Sequence, residues 1–115
     1  MLNESTRLDL AFQALADPTR RGMLARLSRG PASVSDLARP FAISLPAVMQ
    51  HLQVLEASGL VRSEKVGRVR TCRIEPNALA GAESWIAEQR ALWDGRLDRL
   101  EDYLETMKSK ETDNG

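Results

Sequence analysis

Most constraining for the fold is the stretch ISLPAVMQHLQVLEASGLV, residues 43–61. Ser44 can cap a helix start, Pro46 fits its first turn, and Gly59 suits a left-handed stop. With Val48 taken as the inward direction at about 100° per residue, Leu52 and Leu55 fall within about 40° of it. Opposite lie Pro46, Gln50, Gln53 and Ala57, flanked by Ala47 and Met49, with His51 to one side. A solvated helix face ordinarily mixes Lys and Glu. This one carries amides and small residues, so it is anchored along one stripe and presents a close-approach surface along the other.

The segments around it predict the scaffold. NESTRLDLAFQALAD predicts a helix with Leu8, Phe12 and Leu15 on one side, capped by Ser5 or Thr6. DPTRRGMLARLSRG predicts a second, with Asp17 as cap, Pro18 at the first position, Met23, Leu24 and Leu27 inside, and Gly30-Pro31 as the stop. SVSDLARPF reads as a short helix: Ser33 and Asp36 are spaced like a capping box, Val34, Leu37 and Ala38 face inward, and Pro40 ends it. After Gly59, LVRSEKV and VRTCRIEP flank a Gly-Arg turn, a hairpin pattern that Pro76 closes. Arg68 and Arg70 lie at or beside its tip, with Arg62, Lys65 and Arg73 along the ribbon.

A long helix over residues 77–108 follows, and KSKETDNG is expected to be a frayed, polar end. Ile86, Trp93, Leu97, Leu100, Leu104 and Met107 make a near-heptad apolar seam along it. Gly95 within this helix costs about 1 kcal/mol and marks a candidate bend.

The predicted fold class is therefore mainly α with a small β-hairpin. A short helix, a tight turn and the amide-faced helix make a helix-turn-helix over residues 33–59. The hairpin over residues 60–75 adds a wing, so the chain reads as a winged helix-turn-helix. At 115 residues, 43% apolar and 28% charged, it is expected to form one domain, residues 1–115, with a real core.

Charge points to a partner. The net charge is zero, yet residues 16–75 hold ten Arg and Lys against five acids, while residues 76–115 hold five against nine. A positive middle segment suits a polyanion. The major groove of B-DNA admits one helix, and its base edges are read by short hydrogen bonds and methyl contacts. Small residues allow close approach, amides bond adenine edges, and Met49 can lie on thymine methyls. The candidate DNA-binding set is Ser44, Pro46, Ala47, Met49, Gln50, His51 and Gln53, with Arg20, Arg68 and Arg70 toward phosphates.

Other classes find less support. No phosphate loop, nucleophile elbow, metal triad or dinucleotide motif is present, so an enzyme is not expected. His51 lacks a motif-spaced nucleophile or partner acid and reads as a phosphate or operator contact, or a packed residue. Cys72, the single cysteine, is in phase with Ile74 on the inner wing face; it reads as a small buried hydrophobe, with a thiol switch as the competing reading. Trp85 and Trp93 suit core or dimer packing, or else stacking on an aromatic ligand. Asp94, Asp98, Glu101, Asp102 and Glu105, interleaved with Arg90, Arg96 and Arg99, read as a solvated face. A winged helix that docks a protein partner is the alternative function. No run of about 18 apolar residues exists, so no membrane span is expected. MLNESTRLDL lacks the apolar core of a secretion signal, and with one cysteine a cytoplasmic location is expected.

LADPTRRGMLARL, ISLPAVMQHLQVLEASGLV and GRVRTCRIEP together resemble the ArsR/SmtB family of bacterial winged-helix repressors, over about residues 8–107. The resemblance implies double-stranded DNA and a second copy of the chain as partners. It implies a homodimer on a palindromic operator, held by long N- and C-terminal dimerisation helices. Leu8, Phe12, Trp85, Ile86, Trp93, Leu97, Leu100 and Leu104 are the implied dimer interface, which the apolar seam supports independently. The family also implies a sensor, and here the chain departs from it. Arsenic-sensing relatives carry cysteines in the short helix, in the pattern ELCVCDL; here PASVSDL places Ser33 and Ser35 there. Hydroxyls are poor ligands for thiophilic metals. Zinc-sensing relatives use paired Asp/His and His/Glu ligands in the C-terminal helices, whereas the one histidine here is His51. No metal site and no cofactor are therefore expected, and control would come from an unidentified small molecule or protein.

Overall fold

The structure is a computed structural model that describes residues 3–114, with the side chains of residue 3 and residues 5–110. Chain contacts divide it into two compact units, one ending at Ala82 and one beginning at Glu83.

In the first unit, α1 spans Glu4–Leu15, α2 Pro18–Leu27, β1 Ala32–Ser33, α3 Val34–Ala38 and α4 Leu45–Ala57. Strands β2, Val61–Val66, and β3, Val69–Ile74, follow, then a 3-10 turn over Pro76–Leu79. Helix α5, Ala80–Asn114, begins here and makes up the second unit.

Local chemistry sets the boundaries. Asp17 accepts from the Arg20 N–H at 3.0 Å, Ser33 from Asp36 N–H at 3.1 Å and Ser44 from Ala47 N–H at 3.3 Å, as the capping pattern predicts. α1 differs: its cap is Asn3, which accepts from the Thr6 N–H at 2.8 Å, and Ser5 and Thr6 lie inside the helix. Asn ranks with the best capping residues, and the helix starts two or three residues earlier for its use. At the end of α4, Leu60 N–H bonds Leu55 C=O at 3.1 Å and Gly59 N–H bonds Glu56 C=O at 3.0 Å. This Schellman pair requires a left-handed residue, and Gly59 supplies φ +80°. Gly67 has φ +63° while Arg68 stays negative, which is the signature of a type II′ hairpin turn.

The wing is a three-stranded antiparallel sheet in the order β1-β3-β2, where the sequence predicts two strands. β1 pairs Ala32 with Cys72 and Ser33 with Thr71. Two residues cannot display a period of two, so periodicity is blind to this strand; it forms because β3 offers a free edge beside Ala32.

The core lies between the helices and the sheet. Met23 and Leu27 of α2, Leu37 of α3, Val48, Leu52 and Leu55 of α4, and Leu60, Val61 and Cys72 of the wing are all buried. The predicted inner stripe of α4 is thus the stripe that anchors it. α5 starts three residues later than position 77, runs unbroken through Gly95, and continues past Lys108 to Asn114. Gly115 lies outside the described residues.

Candidate nucleic-acid interface

Helix α4 is fixed from below and open above. Pro46, Gln50, Gln53 and Ala57 are exposed, Ala47 and Met49 are half-buried beside them, and Ser44 is exposed at the cap. Leu45 and Ile43 are exposed too, at 56% and 39%, and extend the apolar edge that Met49 begins. Sequence reasoning passed over both, because Leu45 falls in phase with the inner stripe; it is exposed because α4 begins beyond the end of the core.

The strand register sorts the wing cations. Residues directly opposite in an antiparallel pair share a face. Ser63 faces Cys72 and Lys65 faces Arg70, while Arg62 faces Arg73. Cys72 is buried and Ser63 donates its hydroxyl proton to the Glu56 carboxylate of α4, so this is the face turned toward α4. Lys65 and Arg70 therefore project from the α4 side. On the other face, Arg62 pairs with Glu75 at 3.4 Å and Arg73 with Glu64 at 3.9 Å, both at the solvent-exposed surface. Arg70 donates to the Ser63 hydroxyl at 2.9 Å, while Lys65 and Arg68 have no partner among the described residues. Like charges set opposite on a ribbon cost up to about 1 kcal/mol unless an anion answers them. Lys65 lies outside the set predicted from sequence; its signal is the alternation with Ser63, which pairs with Cys72 on the same ribbon face.

Arg20 and His51 are half-buried and engaged within the first unit. Arg20 donates through Nε to Ala14 C=O and through Nη2 to Gln13 C=O, both at 2.8 Å. Its Nη1 lies 3.3 Å from His51 Nδ1, and Asp17 lies 3.8 Å from the same nitrogen. Arg21 similarly donates to Leu15 C=O at 2.7 Å. The two arginines of DPTRR thus satisfy the orphan carbonyls at the C-terminus of α1, where the helix dipole also favours cations. The Arg20 N–H that Asp17 caps, with the Arg20 guanidinium beside it, holds the Asp17 carboxyl below the usual carboxylate range, against a smaller opposing push from desolvation.

Burial, with the Glu56 carboxylate beside it, pushes the Cys72 thiol up, against a smaller opposing pull from Arg70. A thiol so placed is a poor nucleophile. Iodoacetamide at neutral pH is expected to label Cys72 in folded protein at least about 100-fold more slowly than in denaturant. Labelling at the free-thiol rate would restore the thiol-switch reading.

Of the predicted dimer residues, Leu8 and Phe12 are half-buried on α1. On α5, Trp85, Ile86, Trp93, Leu97, Leu100 and Leu104 are exposed at 42%, 44%, 58%, 61%, 52% and 49%. Leu92 and Tyr103 are also exposed, at 55% and 63%. The seam is therefore a continuous exposed apolar surface on one helix. No helix among the described residues is long and apolar enough to cross a membrane.

Comparison with known proteins agrees with this geometry. A family model described as a helix-turn-helix domain matches residues 15–64. The HTH-type transcriptional regulator Rv2034 of Mycobacterium tuberculosis is 47% identical over 72 residues, 63% of this chain and 67% of that protein. The crystal structure of an ArsR family transcriptional regulator, RHA00566, superposes with a TM-score of 0.76 at 54% identity, covering 82% of this chain and 97% of that one. A homodimeric winged helix-turn-helix DNA-binding domain, Mb0332 from Mycobacterium bovis, matches at 26% identity with a TM-score of 0.57, over 77% of this chain and 82% of that one.

Proposed function

The chain belongs to the ArsR/SmtB family of winged-helix regulators, and from that premise we propose that it is a sequence-specific transcriptional repressor, a cytoplasmic homodimer that binds a palindromic operator. The observation that carries this is the exposed amide face of α4 beside a two-faced wing. α4 presents Pro46, Gln50 and Gln53 to solvent, and the wing carries Lys65 and Arg70 on its α4-facing side, with Arg62 and Arg73 ion-paired on the other. Gln50 and Gln53 read base edges, Ala47, Met49 and Pro46 permit close approach, and Arg68, Arg70 and Lys65 hold phosphates. Half-sites lie about one helical turn apart. The relatives are regulators rather than enzymes, and catalysis forms no part of this reading.

Operator fragments selected from genomic DNA, then titrated from about 50 to 200 mM salt, test it. Affinity should fall steeply as counterions return. Gln50→Ala should lose about 1–3 kcal/mol on the operator alone. Arg68→Ala should weaken operator and random DNA alike and reduce the salt slope by about one unit. An unchanged operator-to-random ratio in Gln50→Ala would mean that another face reads the bases.

Control is proposed to be metal-independent. The Ser33 hydroxyl is committed to the α3 cap and the only thiol is buried. Arsenite, zinc or cadmium at low micromolar levels should leave the operator complex intact in the same assay. An unidentified effector acting on the dimer helices needs about 1–3 kcal/mol of coupling to change DNA affinity 5–150-fold.

A further inference from the structure

Three groups from two helices, α2 and α4, converge at the flank of α4. Asp17 caps α2, Arg20 lies one turn further on, and His51 belongs to α4 itself. A guanidinium has N–H donors and no acceptor. With Arg20 Nη1 3.3 Å from His51 Nδ1, a hydrogen bond between them uses the Nδ1 lone pair and so belongs to the Nε2–H tautomer. The other two bonds of Arg20, both 2.8 Å to the last carbonyls of α1, fix the guanidinium plane. Asp17 Oδ2, 3.8 Å from Nδ1, is held by its own bond to the Arg20 N–H and is too far to take over the ring. The His51 side chain is 22% exposed, on the flank of α4 between the core stripe and the outward amides.

We propose that Arg20 is a positioning residue for DNA reading: its fork ties the C-terminus of α1 to His51, locks the Nε2–H tautomer, and sets the tilt at which α4 presents Gln50 and Gln53. Arg20 holds no phosphate. This deepens the repressor reading and rests on it only for the DNA consequence, since the tautomer lock is a property of the free protein. Lysine cannot replace the fork, because an ammonium is a point charge that cannot hold three acceptors in one plane.

Two measurements decide it. His51 is the only histidine, so long-range 15N–1H correlation of the DNA-free protein at about pH 8, where an ordinary imidazole is neutral, reports a single ring. The proton is expected on Nε2 in the wild type, with Nδ1–H appearing in Arg20→Lys and Arg20→Gln. A wild-type ring protonated on Nδ1, paired with Asp17 instead, overturns the lock. On DNA, Arg20→Lys and Arg20→Gln should each lose about tenfold on the operator while random-sequence affinity and salt slope stay unchanged. A salt slope lower by about one unit in Arg20→Gln, with full rescue by Arg20→Lys, would instead make Arg20 a phosphate contact. His51→Ala leaves the α1 carbonyl bonds in place and should reproduce the operator loss. If Arg20→Gln unfolds, His51→Ala carries the test, and full operator affinity in that variant overturns the proposal. Should the wild type fail to distinguish operator from random DNA, the repressor reading falls, and the 15N spectrum still decides the lock.

Discussion

Glutamate at both Leu97 and Leu100 is expected to convert the dimer into a monomer and to lower operator affinity by about 100-fold or more. Each leucine is more than half exposed within the chain, at 61% and 52%. Burying a leucine side chain contributes about 1.5–3 kcal/mol, and a symmetric interface gains this twice per position. A buried carboxylate reverses the sign, because its desolvation goes uncompensated in an apolar seam. The DNA consequence follows from tethering: once one reading helix is seated, the second is already near its half-site at millimolar effective concentration, and a monomer loses that advantage. Sedimentation equilibrium at about 10 µM, with circular dichroism to confirm retained helix, gives the answer. A variant that remains dimeric would place the interface elsewhere and leave the exposed seam on α5 without its assigned partner.

Leu55→Ala is expected to cost about 2–5 kcal/mol of stability and to lower the melting temperature by roughly 10 °C or more. Leu55 is fully buried and does two things at once. It belongs to the stripe with Val48 and Leu52 that seats α4, and its carbonyl accepts the Leu60 N–H in the Schellman turn that launches β2. A cavity there loosens the reading helix and the wing root together. Gln53→Ala, two residues away on the outward face, should stay within about 0.5 kcal/mol of wild type. Thermal or urea unfolding of the two variants is the check. A Leu55→Ala cost below about 1 kcal/mol would mean that α4 is not held by this stripe.

Which features were legible in the sequence follows from how far apart the interacting groups are. Asp17-Pro18, Ser33 with Asp36, Ser44 and Gly59 declared the boundaries of α2, α3 and α4 because each cap closes within three or four residues. Gly67 declared the hairpin for the same reason. The two sides of α4 were legible because 3.6-residue periodicity separates Val48, Leu52 and Leu55 from Gln50 and Gln53 whatever they later touch. The Asn3 cap is not legible because Ser5 and Thr6 are competing caps two and three residues on, and propensity alone cannot choose among them.

Other features existed only once distant segments met. β1 is a strand because β3 lies beside it. A Cβ at Gly22 of α2 would lie 3.0 Å from the Phe41 ring, so the glycine makes room for the loop after α3. Lys65 lies on the α4-facing side of the wing and Arg62 on the other according to strand register, and the pairing of Ser63 with Glu56 identifies which side is which. Arg20 is the plainest case. Sequence gave it a charge and an exposed-looking position, from which a phosphate contact is a fair reading. Tertiary structure brought Gln13, Ala14 and His51 within reach of its fork. Caps, turns and helix faces are settled by neighbours along the chain, so the sequence determined them. The partners of a long, many-donor side chain are settled by which elements pack together, and only the folded chain could decide that.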